Sequence, residues 1–394
     1  MKSRGRWWLA VAILAAGALP PSPGEADAHA YVRPGWRHTC AQLGSDQIVC
    51  WGGNNSGQLG NGSYADSSAP TTVATLHGVV DADASVEHTC AVTGDGAAWC
   101  WGSNEWGHLG DGTTQPRAAP ARMRDMHGGF LSGVTEVSLG YYHTCMRAEG
   151  GVWCAGRNEL GQLGHGAATD APEPYASPVP GVNDAIEISA GFDHACAVRN
   201  DGTVWCWGRN DHGQLGFSTT TLCVLGTQRI PCALSPGQVS GLTDIVHVDA
   251  GASHTCALRG DGAVFCWGDG SSGQLGKLPD RGGVTPVAVL TDATSVRAGA
   301  RHSCAIRRDG IVLCWGANAA GQIGNGLIGS WSPPTPALIA PNVVEVVAGG
   351  RHTCARRYDN SVWCWGDNSG GQLGYDTSPL TFSARPVATP LTAP

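Results

Sequence analysis

Histidine and cysteine are the residues of this chain with the most chemical potential, and they recur together. The tripeptide H-T-C, or a near variant, places His at 38, 88, 143, 194, 254, 302 and 352. Imidazole beside a thiol could ligate a metal, relay protons or pair a nucleophile with its base. Zinc sites favour C-x₂₋₄-C and H-x₃₋₅-H spacings, which these triplets do not provide. A His in every repeat reads instead as a structural device that holds a loop by hydrogen bonds. No G-x-S-x-G, H-E-x-x-H, phosphate-loop or dinucleotide motif stands in its proper context. The expectation is no catalytic residue, no metal and no cofactor.

Fourteen of the 16 cysteines form pairs inside the repeats: Cys40 with Cys50, Cys90 with Cys100, Cys145 with Cys154, Cys196 with Cys206, Cys256 with Cys266, Cys304 with Cys314, and Cys354 with Cys364. If Gly94-Asp95-Gly96 is a three-residue hairpin loop with Gly96 left-handed, Thr93 faces Ala97 and Cys90 faces Cys100. Cβ atoms facing one another on neighbouring strands lie ~4.5–5.5 Å apart, close to disulfide geometry. The pair Cys145 and Cys154 is one residue shorter, and a two-residue loop at Glu149-Gly150 restores the opposition. Elsewhere the left-handed position holds Gly, Asp46 or Asn360, all types that tolerate positive φ. Cys223 and Cys232 fall in an insertion at residues 217–238 and are expected to staple that loop to itself. Loops this short limit each crosslink to at most ~2–3 kcal/mol.

So many paired cysteines call for an oxidising compartment. The N-terminus agrees. Lys2, Arg4 and Arg6 precede an apolar run from Trp7 to Leu19, and Ala26-Asp27-Ala28 offers a small-residue cleavage site. The run is shorter than the ~20 residues of a membrane span. Residues 1–28 therefore read as a signal peptide, and the remainder as exported to the periplasm, the cell surface or the medium.

The same triplets mark a repeat of about 52 residues. Each unit runs through A-G-x-x-H-T-C-A, a D-G turn, C-W-G and G-Q-L-G. Seven such periods account for residues 29–394 as a single domain and leave no room for a separate catalytic one. Runs such as Ile245–Val248, Thr255–Leu258 and Ala263–Trp267 are rich in β-branched and aromatic residues and punctuated by Gly and Asp, as strands are. A fourth, Pro-containing strand such as Thr285-Pro286-Val287 suits a sheet edge. The prediction is all-β: a seven-bladed propeller of four-stranded blades with disulfide-stapled hairpins. Ala384-Arg385-Pro386-Val387 resembles the Pro-containing strand, which predicts that the C-terminal strand completes the first blade and closes the ring. Composition agrees: 58 glycines disfavour helices, and a net charge of -8 argues against nucleic-acid binding.

The pattern V-x-A-G-x-x-H-T-C-A followed by D-G-x-V-x-C-W-G-x-N-x-x-G-Q-L-G resembles the repeats of the regulator-of-chromosome-condensation family, over essentially all of residues 29–388. Trp51, Trp101, Trp207, Trp267, Trp315 and Trp365 match the W-G position, and Ala155-Gly156 departs from it. The resemblance implies a seven-bladed propeller, here as an exported member of bacterial type. Its founding member implies guanine-nucleotide exchange on a small GTPase, a partner that an exported, disulfide-bonded chain would not meet. Gly35-Trp36-Arg37-His38-Thr39 matches a motif of the family's plant photoreceptors once. Ala300 and Gly350 stand where the Trp of repeats six and seven would be. Photoreception is therefore not expected.

Function should lie where an otherwise fixed motif varies. Between the Gly and His of A-G-x-x-H stand Trp36-Arg37, Val86-Glu87, Tyr141-Tyr142, Phe192-Asp193, Ala252-Ser253, Ala300-Arg301 and Gly350-Arg351. One loop per blade should put them on one face, the usual binding surface of such folds. Trp, Tyr and Arg are also enriched at interface hot spots. The candidate face is Trp36, Arg37, Glu87, Tyr141, Tyr142, Phe192, Asp193, Arg301 and Arg351. Its expected partner is a protein or a glycan, bound by a monomer with no membrane span. The rival reading is an extracellular hydrolase with its site in the propeller channel, where Asp193 and Glu87 are the only acidic candidates of the ring.

Overall fold

The computed structural model describes residues 30–42, 47–339, 341–376 and 380–390. The proposed signal peptide, the turn position expected at Asp46 and the last four residues lie outside them. Seven antiparallel sheets form a closed propeller. Blade 1 comprises Tyr31–Pro34, His38–Gln42, Val49–Gly52 and Ser67–Thr72. Blade 7 comprises Val343–Ala348, His352–Arg357, Val362–Asp367 and Phe382–Ala388. In every blade the first strand lines the central channel; in six blades the fourth, Pro-containing strand lies outermost, and in blade 4 a further strand lies beyond it.

The hairpins follow the expected register. Cys90 lies opposite Cys100 and Cys145 opposite Cys154, with Cα atoms 4.1 and 4.2 Å apart. Eight disulfides form, and no free cysteine stands among the described residues. Glu149 and Gly150 both take positive φ, at 53° and 78°, the mirror-image turn that a two-residue hairpin loop needs. Asn360 is left-handed at 61°. Cys223–Cys232 staples the hairpin of Leu222–Leu225 and Gln228–Gln238, which gives blade 4 a fifth strand.

One expectation is corrected. The C-terminal strand Phe382–Ala388 pairs with Val362–Asp367 and completes blade 7, while blade 1 already has its own fourth strand, Ser67–Thr72. The Pro-containing strand belongs to the repeat before it, because a hairpin-like return through the G-Q-L-G loop lays it on the strand just completed. No strand is shared across the seam. The ring closes through side chains and loop backbone: Glu345 accepts from Val32 N and Arg33, Gly350 N donates to Gly35 O, and Trp51 Nε1 donates to Gln372 O.

The last of these bonds repeats around the ring. Indole N–H groups of Trp101, Trp207, Trp267, Trp315 and Trp365 donate to the G-Q-L-G glutamine carbonyl of the preceding blade at 2.8–2.9 Å. Each indole packs on that blade's disulfide, as Trp101 does on Cys40 and Cys50. The fit demands glycine: a Cβ on Gly60 (φ +66°) would stand 2.6 Å from Trp101 Nε1. Blade 3 departs from the pattern. Ala155 replaces the Trp, His108 replaces the Gln, and Met123 and Met146 fill the space beside Ala155.

The same carbonyl serves a second bond. Thr39, Thr89, Thr144, Thr255, Ser303 and Thr353 donate to it through their hydroxyls, and each hydroxyl also meets the Nε2 of the previous blade's repeated His at 2.8–3.1 Å. A hydroxyl has one proton, and a carbonyl can only accept. The imidazole must therefore be the Nε2–H tautomer, with Nδ1 bare. Nδ1 of His38 packs against Gly35 and has no partner, and the same holds around the ring. Burial accordingly holds these rings neutral, with pKa values lowered to about 3 for His38, His302 and His352 and about 4 for His254. Blade 4 breaks the belt. Ala195 stands in the hydroxyl position, and His143 Nε2 is left buried without a hydrogen bond.

Replacing Ala195 by Ser should restore the missing link between His143 Nε2 and the Gln162 carbonyl. The expected gain is about 1 kcal/mol, seen as a higher denaturation midpoint. Ala195→Val, which adds bulk but no hydroxyl, should bring no gain. A midpoint unchanged in the Ser variant would contradict this account of the belt.

Candidate functional site

The variable dipeptides sit between the first and second strands of each blade and surround one mouth of the channel. Their backbones hold one another directly. Trp36 N donates to Ser85 O at 2.9 Å, Tyr141 N to Phe192 O at 3.0 Å, and Ala300 N to Gly349 O at 3.1 Å. These close approaches require small residues, since a Cβ on Gly35 would fall 2.3 Å from Ser85 O.

Over this collar the aromatic side chains meet. Trp36 of blade 1 reaches Phe192 of blade 4, their ring centroids 5.4 Å apart across the mouth. Tyr141 stacks on Phe192 at 5.2 Å and touches Tyr142 at 4.0 Å. Separations of this order suit aromatic attraction, so the cluster is self-supporting. Trp36 lies over Gly350, where any side chain would collide with its ring. Two hollows flank the cluster. One of about 710 Å³ lies between Trp36, Arg37, Glu87 and Tyr141, and one of about 1060 Å³ runs from Trp36 and Phe192 to Arg301.

The other candidate residues divide. Arg37, Arg301, Arg351 and Glu87 are exposed on the rim, and Glu87 accepts a hydrogen bond from Ser56. Asp193 is buried. Its carboxylate lies 3.3 Å from Arg209 and 3.8 Å from Arg157, so it anchors the face from beneath. Tyr142 is turned toward His108 and Arg157, away from the Trp36 contact.

Beneath the aromatic cap the channel is polar and open, with a volume of about 820 Å³. Its walls carry carboxylates that the repeat motif does not announce: Asp81, Asp83, Glu136, Glu187 and Asp249, with Arg33, His247 and Arg297 among them. These acids do a structural task. Inner strands of neighbouring blades do not pair, so their backbone N–H groups need other acceptors. Asp81 accepts from Val137 N, Asp83 from Leu139 N, Glu136 from Ile188 N and Glu187 from Val248 N, each in the next blade. Ser138 and Ser189 serve Ala190 N and Ala250 N in the same way. Burial pushes the Glu136 carboxyl up to about 8, helped by Glu187 and Asp81, and the Asp83 carboxyl up to about 7. The signal was present as period-two alternation, in Asp81/Asp83, Glu136/Ser138, Glu187/Ser189 and His247/Asp249. Attention to the β-branched positions of those strands hides it.

Among the described residues no group of three or more His, Cys, Asp or Glu is arranged to hold a metal, and no helix is long and apolar enough to cross a membrane. Comparison with known proteins settles the family. The model of the RCC1-like domain matches residues 151–393, and that of the regulator of chromosome condensation repeat matches 45–92 and 95–146. This chain belongs to the RCC1-like domain family. The RCC1-like ring is 30% identical over 61% of its length to the ultraviolet-B receptor UVR8 of Arabidopsis thaliana, covering 52% of that protein. It is 30% identical over 39% of its length to the mouse regulator of chromosome condensation, covering 36% of it. The chain thus spans about half or less of these relatives. Among solved structures, yeast RCC1 (Prp20) bound to Kap60 matches with a TM-score of 0.73 at 19% identity, covering all of this chain and 92% of that one. Human WBSCR16 matches with a TM-score of 0.71 at 22% identity, over 84% of this chain and 88% of the other. At these identities the likeness speaks for the fold.

A carboxyl whose pKa rises on folding favours the folded state at low pH, and that contribution is lost as pH climbs from the unfolded value through the folded one. For Glu136 the window runs from 4.5 to about 8. Glu136→Gln keeps an acceptor for Ile188 N and removes the charge. Its stability relative to wild type should therefore improve steadily across that window and level off above it. Parallel midpoints at pH 5 and pH 9 would refute the assignment.

Proposed function

We propose that this protein is an exported, non-catalytic binding scaffold that takes hold of a partner protein with the aromatic-capped mouth of its propeller. The observation that carries the reading is the cross-mouth cluster of Trp36, Tyr141 and Phe192. Three large side chains from blades 1, 3 and 4 gather at a position where the repeat motif specifies nothing, with Arg37, Arg301 and Arg351 exposed around them. Aromatic and arginine residues set on a rigid support are what interface hot spots are made of. Membership of the family supports it as well, since a solved relative is named for its complex with another protein. Eight disulfides fit folding in an oxidising compartment, and the sequence of residues 1–28 fits export there.

A hydrolase seated in the channel is the second reading, favoured by the raised carboxyl of Glu136 beside Glu187. Against it stands the engagement of both carboxylates with backbone N–H groups of the next blade. Nucleotide exchange finds no support in a chain built on disulfides. A glycan is the other partner class that an aromatic floor admits.

The experiment is affinity capture from the producing cell's envelope and medium, with wild type and Trp36→Ala/Tyr141→Ala/Phe192→Ala side by side. The triple variant should keep its disulfides and melting midpoint to within a few degrees and recover at least about tenfold less partner, as expected when hot-spot anchors are removed. Equal recovery would overturn the assignment of this face.

A further inference from the structure

The position just before the repeated His is occupied in turn by Arg37, Glu87, Tyr142, Asp193, Ser253, Arg301 and Arg351. Ring order therefore sets three arginines on consecutive blades, 6, 7 and 1, with no acid between them. The backbone holds all three alike, with Arg37 O accepting from Gly53 N, Arg301 O from Ala317 N and Arg351 O from Asp367 N. Each side chain is exposed, and among the described residues none has an ion-pair partner. The other half of the face is different: Arg157 and Arg209 are neutralised there by Glu159, Asp193 and Asp211. Most guanidinium groups in the rest of the molecule also have carboxylates, from Arg33 at the channel to Arg356 in blade 7. An unpaired cationic arc is thus a local exception in a chain of net charge -8.

The arc adjoins the aromatic cap. Trp36 neighbours Arg37 in sequence and covers Gly350, the residue before Arg351. The larger hollow has Trp36 and Phe192 on one side and Arg301 with Arg281 on the other. Its acids are already engaged: Asp211 by Arg209, Asp269 by Ser271 and Gln274, and Asp280 by Lys277. Guanidinium is a planar donor matched to carboxylate and carries its charge at any physiological pH.

We propose that the arc of Arg37, Arg301 and Arg351 docks an acidic peptide segment of the partner protein, with an apolar residue between its carboxylates seated against Trp36 and Phe192. This deepens the reading of the face as a protein-binding surface and rests on it. A peptide is favoured over a polyanionic glycan because the hollow offers an apolar wall directly beside the charges. Charge complementarity of this kind sets specificity and association rate, and it weakens with salt.

The test uses the full oxidised chain and a random-peptide display library as the probe. Selected peptides should combine Asp or Glu with an aromatic or aliphatic residue. Their affinity, read by fluorescence anisotropy, should fall as salt rises. It should drop roughly tenfold or more in Arg37→Glu/Arg301→Glu/Arg351→Glu, whose exposed substitutions leave the melting midpoint in place. Selection of neutral or basic peptides, of none, or of acidic ones indifferent to the charge reversal would overturn the proposal. So would binding of a sulfated or uronate polysaccharide in place of acidic peptides, or self-association of the chain abolished by the same reversal. The captured partner separates the two readings. If the aromatic variant loses it and the charge-reversed variant keeps it, the face stands and the acidic segment fails.

Discussion

The structure depends on one acceptor. The main-chain carbonyl of the G-Q-L-G glutamine takes an indole N–H and a hydroxyl from the next blade, both buried, in five of the seven interfaces of the ring. Neighbouring sheets share no strand pairing and only a few backbone bonds at their loops, so something more must set their rotation and spacing. Burial of Trp supplies much of the attraction, because an indole removes a large apolar area from water. The two hydrogen bonds supply the direction. An unpaired indole N–H or carbonyl in that environment would cost about 1–3 kcal/mol, which makes the arrangement specific as well as stable. The disulfide behind each indole keeps the hairpin it packs on from splaying.

A second set of contacts works at the smaller radius. Around the channel the first strands diverge, and side-chain oxygens bridge the gap that a shared sheet would have closed. This accounts for buried carboxylates in a molecule without a metal site among the described residues. It also separates two roles that a sequence can confuse. The acids at the channel serve the backbone, whereas the arginines at the mouth have no internal task. The proposed binding surface is therefore carried by residues whose removal should leave the fold intact.

The fold was legible because it repeats. Seven copies of one spacing reveal strand order, hairpin register and disulfide partners, down to the shorter loop at Glu149-Gly150. The phase of the repeat was harder to read. A cyclic pattern has no natural starting point, so Ala384–Val387 could equally open a blade or end one, and only the strand pairing decides. The aromatic half of the face was visible in Trp36, Tyr141 and Phe192 because those residues vary within a fixed motif. The burial of Asp193 was not, since Arg157 and Arg209 come from other parts of the blades and meet it only in three dimensions. The channel acids escaped notice for a related reason: their partners are main-chain groups of the next repeat, which leave no trace in residue types.

The missing hydroxyl at Ala195 has a mechanical consequence. A ring made from one chain must contain a covalent gap, which here falls between blades 7 and 1 and is heavily bonded: the His352 imidazole, the Trp51 indole and the Arg33–Glu345 pair all cross it. The weakest link of the histidine belt lies on nearly the opposite side of the circle, between blades 3 and 4. The seam and the break in the belt are thus kept apart. The break leaves blades 3 and 4 joined by the Trp207 indole bond to Gln162 O and by the stacked rings of Tyr141 and Phe192, so the one hydroxyl missing from the belt falls where aromatic contacts hold the same two blades together.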